Sequence, residues 1–159
     1  MRRDQAGLHR IRRPERDEGK NGFDSALWKE MVEMGWTGII VPEDFGGSGL
    51  GYLGLGVVLE ETGRTLAPSP LLSTALVGAS ALILGGSQAQ KQAHLPKIVD
   101  GSAIFALAVD EGPHHNPLKT ALKAEKAGAG YKLSGKKSYV SEGHLATTLI
   151  VAARTSGKA

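Results

Sequence analysis

The chain contains no cysteine. That absence removes disulfide frameworks, cysteine-ligated zinc, iron–sulfur clusters and thiol nucleophiles. Aromatic residues are scarce, with two Trp, three Tyr and three Phe among 159 residues, too few for a surface that reads bases by stacking. A general excess of charge is missing as well. The formal net charge is +3, and residues 1–20, with seven Lys/Arg against four Asp/Glu, account for all of it. The basic balance belongs to a short N-terminal arm rather than a folded face, so no nucleic-acid partner is expected. No apolar run is long enough for a bilayer: the densest, Leu71–Leu84, has 14 residues where a span needs about 20. Ser73, Thr74 and Ser80 interrupt it, and it reads as a buried helix. Arg2-Arg3 has no apolar stretch behind it, and four acidic residues in the first eighteen do not suit a transit peptide. The expectation is a cytoplasmic protein without a membrane span. Its length is that of one domain, or one and a half.

The first part of the chain has helical signals. Asp24 is an N-cap, and Phe23 and Trp28 are spaced for a hydrophobic staple. Leu27, Met31 and Met34 follow at i, i+4 and i+7, and Gly35 stops the helix. The apolar run Ile39-Ile40-Val41 ends at Pro42 and leads into the glycine-dense stretch 45–56. Ser87 and Gln90 are spaced as a capping box. Pro96 is expected to break or restart the helix they open, and Asp100-Gly101 to end it. After Gly101 the pattern changes. Residues 104–109, 120–125, 130–133, 137–140 and 148–153 are strand candidates separated by Gly-containing turns. The reading is α+β: an all-α helical bundle followed by a partial antiparallel β-barrel or meander.

Three motifs carry chemistry on paper. Gly49-Leu50-Gly51-Tyr52-Leu53-Gly54 satisfies G-x-G-x-x-G, but Pro42-Glu43-Asp44 stands where a strand should lead in, and no acidic residue lies near position 74. A loop folded closely over the bundle explains these glycines better. Gly130 to Lys137 falls one residue short of a P-loop and lacks a following helix, so it reads as a hairpin. Asp110, Glu111, His114 and His115 have metal-ligand composition, but Gly112-Pro113 breaks the spacing, and no metal site is assigned. Spacing alone yields no catalytic constellation.

The order of segments resembles one family. Val41-Pro42-Glu43, Phe45-Gly46-Gly47 and Glu60-Glu61-x-Gly63-Arg64 look like the N-terminal helical domain of the acyl-CoA dehydrogenases. Gln90-Lys91, Leu95-Pro96 and Gly101 are similar to the segment that leads into that family's middle β domain. Residues 130–155 look like the middle-domain hairpin bordering the flavin. The resemblance runs from about Phe23 to Ser156. It implies a basic arm over 1–22, a helical domain over 23–102 and a partial β domain over 103–159.

The function implied is that of an FAD flavoprotein of lipid metabolism and fatty acid oxidation. Such an enzyme desaturates an acyl-CoA between the α and β carbons, passes hydride to the flavin, and hands electrons to an electron-transfer flavoprotein. In full-length form it is a homo- or hetero-oligomer. Carried across by position, Val109, Asp110, Tyr139, Val140 and Ser141 are the cofactor-binding candidates, and Asn116 is the substrate-binding candidate. Departures accompany these matches. The family's Thr-Glu-Pro is Asp110-Glu111-Gly112 here, and its Gly-Ser-Asp is His115-Asn116-Pro117. The family's Trp-Ile-Thr is Tyr139-Val140-Ser141. A carboxylate at 110 beside a ring that gains negative charge is unfavourable unless it is turned away. The resemblance further implies a C-terminal helical domain holding the catalytic glutamate. The chain therefore reads as a catalytically incomplete N-terminal portion with no base assigned, holding FAD weakly or not at all. The alternative, motivated by the departures, is a non-catalytic partner subunit that binds no flavin.

Overall fold

The computed structural model describes residues 22–157; nearly all of the basic arm lies outside them. Helix α1 (Ser25–Glu33) begins as its sequence dictates. Asp24 Oδ1 accepts from the amides of Ala26 and Leu27 at 2.8 and 3.3 Å, and Phe23 meets Trp28 edge-on at 6.5 Å between ring centres. The buried stripe differs from the expected one: Trp28 and Met31 are buried, Leu27 is half-buried, and Met34 is exposed at the C-cap. Ile39, Ile40 and Val41 are buried in a turn between two short 3-10 segments, Trp36–Gly38 and Glu43–Phe45.

The glycine-dense loop folds back on that turn. The amides of Ser48, Gly49 and Leu50 donate to the carbonyls of Gly38, Val41 and Ile39. A Cβ on Gly47 would lie 2.0 Å from the Val41 oxygen, so the approach requires glycine. Helix α2 (Gly51–Thr65) follows directly. The uncharged run forms a π-helical stretch, Leu72–Gly78, continuous with α3 (Ala79–Gly85). Helix α4 (Gln88–Val99) opens on the expected capping box. Pro96 does not break it: the helix runs to Val99 with the proline in its last turn. The carbonyl left without a donor belongs to Gln92, an exposed residue that water can reach.

The strands are β1 (Phe105–Ala108), β2 (Lys123–Ala127), β3 (Gly130–Ser134) and β4 (Thr148–Val151). The α+β class is as expected, and β2–β3 is an antiparallel hairpin. Two details differ from a meander. Strand β1 pairs with β4 in parallel, Phe105 opposite Thr148, because a long crossover rather than a hairpin turn joins them. Residues 137–140 form no strand, since Tyr139 takes φ 54°, outside the extended region. The core lies between the helices and β1, centred on Met31, Val41, Leu55, Leu71, Leu95, Ile98 and Phe105. Among the described residues no helix is long and apolar enough to cross a membrane.

Candidate functional site

A cleft of about 240 Å³ opens where the π-helical stretch, the end of β1 and the 139–142 loop converge. The π-helix contributes Leu72, Ser73 and Val77, and β1 with its extension contributes Leu107, Val109 and Asp110. Tyr139, Ser141 and Glu142 form the opposite wall, and His115 stands at the rim. The floor is apolar and the walls are polar. π-Helical turns are rare and recur at functional sites.

Backbone chemistry explains why these segments meet. Thr74, fully buried, accepts the Phe105 amide on its Oγ1 at 3.1 Å, fixing β1 against the helix. Gly78 allows that approach; a Cβ there would lie 2.5 Å from the Phe105 Cβ. The Ser73 hydroxyl donates to the Glu142 carboxylate, tying the loop to the helix. On the other side the Ser138 amide donates to the Asp110 carbonyl at 2.7 Å. Lys137 Nζ donates to the Val109 carbonyl at 2.8 Å and to Glu111 Oε1 at 2.7 Å.

The 139–142 wall has an unusual backbone. Tyr139 and Glu142 both have positive φ, 54° and 56°, a conformation that costs a non-glycine residue about 1–3 kcal/mol and concentrates at functional sites. The amide N–H groups of Tyr139, Val140 and Ser141 donate to no acceptor among the described residues. Among the described residues, three successive donors of this segment thus have no acceptor; Tyr139 and Ser141 border the cleft and Val140 the hollow behind it. Tyr139 itself is exposed and offers an aromatic face.

The two carboxylates after β1 go to different partners. Asp110 lies 3.0 Å from His115 Nδ1 and accepts the Asn116 amide at 3.3 Å. The His115 bond first, and the Asn116 amide after it, hold its carboxyl below the usual carboxylate range against an opposing desolvation. Glu111 is pulled down to about 2, first by the Lys137 ammonium and then by the amides of Leu122 and Ala121, each 2.9 Å away. Both charges therefore have partners.

The sequence candidates divide accordingly. Val109, Asp110, Tyr139 and Ser141 come together around the cleft. Val140 lines a different, apolar hollow on the far side, with Ala108, Leu122 and His144. Asn116 lies outside the cleft and reaches it only through its amide on Asp110. Glu111 is held by Lys137 and is not part of a metal cluster with Asp110. Sequence reading missed the cleft roles of Ser73, His115 and Glu142. Of these only His115 carried a signal, as a neighbour of Asp110 in composition. Nothing in the sequence joins Ser73 to Glu142 across 69 positions.

Residues 9–102 match the family model described as the N-terminal domain of acyl-CoA dehydrogenase. The chain is 38% identical over 150 residues to the mitochondrial isovaleryl-CoA dehydrogenase of Arabidopsis thaliana, covering 91% of this chain and 37% of that protein. It superposes on a chain of the ChsE4-ChsE5 complex from Mycobacterium tuberculosis with a TM-score of 0.77 and 32% identity. That match covers 89% of this chain and 38% of the other. An acyl-CoA dehydrogenase complexed with FAD from Bacillus anthracis matches with a TM-score of 0.73 and 27% identity, over 84% of this chain and 24% of that one. The chain spans about a third of the length of the curated relatives it matches.

Proposed function

The chain belongs to the acyl-CoA dehydrogenase family, and from that premise we propose that it carries the helical domain and one flavin-facing wall of an FAD-dependent acyl-CoA dehydrogenase. The observation that carries this reading is the run of free N–H donors at Tyr139, Val140 and Ser141 on a strained loop beside an apolar-floored cleft. A flat ring edged with carbonyl oxygens and ring nitrogens fits such a wall. Bound there, FAD supplies the hydride acceptor for desaturation of an acyl-CoA. The free amides of this wall would hold the ring, and their oriented dipoles would stabilise negative charge on it without reorganising. Tyr139 offers a stacking face, and Leu72, Val77, Leu107 and Val109 exclude water beneath. The Asp110 carboxylate, unfavourable if bare, is hydrogen-bonded by His115 and by the Asn116 amide.

The cleft is smaller than the roughly 300–1,000 Å³ of a complete ligand pocket, which suits one wall of a larger site. In the same reading, a separate segment supplies the catalytic base, and acyl-CoA and an electron-transfer flavoprotein are the partners of an oligomeric enzyme. The division into an arm (1–22), a helical domain (23–102) and a β domain (103–159) accords with helices ending at Val99 and strands starting at Phe105. A cytoplasmic location is also proposed; the Arabidopsis relative is by name mitochondrial, and cell fractionation decides between the compartments.

Amide NMR spectra of the 159-residue chain titrated with FAD test the central claim. The expected result is a shift of the Tyr139, Val140 and Ser141 amides, with FAD held weakly enough to be lost on desalting. A folded protein whose three amides stay fixed at millimolar FAD removes the flavin reading. It would favour the second one, a partner subunit without flavin, which the Asp110–His115 pair motivates because it occupies positions where the family places Thr and Gly.

A further inference from the structure

Lys137 stands behind the cleft rather than in it. Its side chain is only 7% exposed, and its stem lines the apolar hollow with Val140 and Leu122, while Tyr139 and Ser141 border the cleft. The ammonium touches two acceptors from the end of β1, the Val109 carbonyl and Glu111 Oε1. Glu111 in turn takes the amides of Ala121 and Leu122. One charge pair therefore joins three stretches of chain: the end of β1, the lead-in to β2, and the segment that becomes the donor wall. No strand ladder holds that last segment. Apart from the ammonium and the local turn bonds from the Gly143, Leu145 and Ala146 amides to the Val140 and Glu142 carbonyls, it is tied to other elements by the Ser138 amide on the Asp110 carbonyl at one end and by Ser73 on Glu142 at the other.

We infer that Lys137 is the positioning residue of the cleft: its ammonium, neutralised by Glu111, pins the Tyr139–Ser141 donors across from Val109 and Asp110. What those donors bind rests on the flavin reading; the clamp itself does not. The chemistry favours lysine here. An apolar side chain would leave the Val109 oxygen without this donor and the Glu111 carboxylate with two amides but no counter-charge. A lysine ammonium, a compact charge with three rotatable donors, serves both acceptors at once. The local backbone strain needs such an anchor, because a positive-φ tyrosine relaxes unless its surroundings hold it.

The test compares the wild-type chain with Lys137→Met, Lys137→Arg and Glu111→Gln by amide order parameters. In the wild type the Tyr139–Ser141 amides should be rigid, near about 0.85; in Lys137→Met they should fall below about 0.6. Phe105–Ala108 and α4 should keep their values, and Lys137→Arg should recover most of the loss. At least fivefold more FAD should be needed to shift the same amides in Lys137→Met. Unchanged order at 139–141 overturns the inference, and so does a loss spread equally over β1 and α4. If Lys137→Met does not fold, Glu111→Gln, which retains an oxygen acceptor, decides by the same two criteria. If wild-type amides ignore FAD, the flavin reading fails while the order parameters still decide the clamp.

Discussion

Asp110 and Glu111 are adjacent in the chain, yet each is bound to a different side chain. Asp110 meets His115 at the rim, and Glu111 turns to the nearly buried Lys137. Two departures from the family pattern, at 110 and 115, thus answer each other. The sequence placed both residues in one loop, but Gly112-Pro113 hides which way the chain turns between them. Linkage gives the Glu111 arrangement a measurable consequence. Its carboxyl is lowered from an ordinary 4.5 to about 2 by Lys137 and two amides. A depressed folded-state value means that the stabilisation is fully present above pH 4.5 and is lost as pH falls toward 2. Asp110, lowered by His115, adds to the slope with the same sign. Urea midpoints measured from pH 5 down to pH 2 should therefore fall more steeply for the wild type than for Glu111→Gln, which has no carboxylate to protonate there. Parallel curves would show that the clamp contributes nothing to folding.

Single elements were legible where a local rule decides them and illegible where a distant contact does. The Asp24 cap, the Phe23–Trp28 staple, the Ser87–Gln90 box and the stop at Gly35 involve residues within five positions, and all appear as read. Met34, the Pro96 break and the 137–140 strand were misread because packing or solvent access overrode propensity. The π-helical form of 72–78 was not visible at all; an uncharged run has no periodicity to separate it from an α-helix. The cleft was half legible, since family positions located two walls but not the helix that floors it. Gly78 tests that helix–strand packing. Replacing a helical glycine by alanine in open space stabilises by about 1 kcal/mol, as expected for Gly56 on α2, whose added Cβ meets nothing. At Gly78 the added carbon meets Phe105 at 2.5 Å. Overpacking costs about 1–3 kcal/mol, and displacement of Phe105 from the core adds to it, so the sign reverses. Urea unfolding should show Gly56→Ala stabilised and Gly78→Ala destabilised by about 1–2 kcal/mol. A neutral or stabilised Gly78→Ala would mean that β1 does not seat against the helix as described.

The whole molecule is held unevenly. Burial is concentrated on the helices and β1, where Phe105, Ala106 and Ala108 are all buried. In the β2–β3 hairpin Ala124 alone is buried, and β3 is exposed along its length. Its polar attachments to the rest include the Ala124–Arg154 and Arg154–Leu122 backbone bonds, the Glu111 carboxylate on Ala121 and Leu122, and the Arg154 side chain on Thr120. Hydrogen bonds contribute about 1 kcal/mol each, whereas a fully buried large side chain contributes about 1.5–3 kcal/mol. The hairpin should therefore open without unfolding the helical core. Native-state amide exchange reads this directly. Amides of β1 and α4 should exchange only through global unfolding, with a strong dependence on urea. Those of Lys123–Ala127 and Gly130–Ser134 should exchange through a smaller opening that is nearly insensitive to urea. Glu111→Gln should speed the hairpin's exchange further while leaving that of α4 in place, because the Glu111 carboxylate ties the lead-in of β2 to the end of β1. If hairpin and core exchanged at one common free energy, the chain would be a single cooperative unit, and the 139–142 wall would share the rigidity of the bundle instead of depending on its clamp.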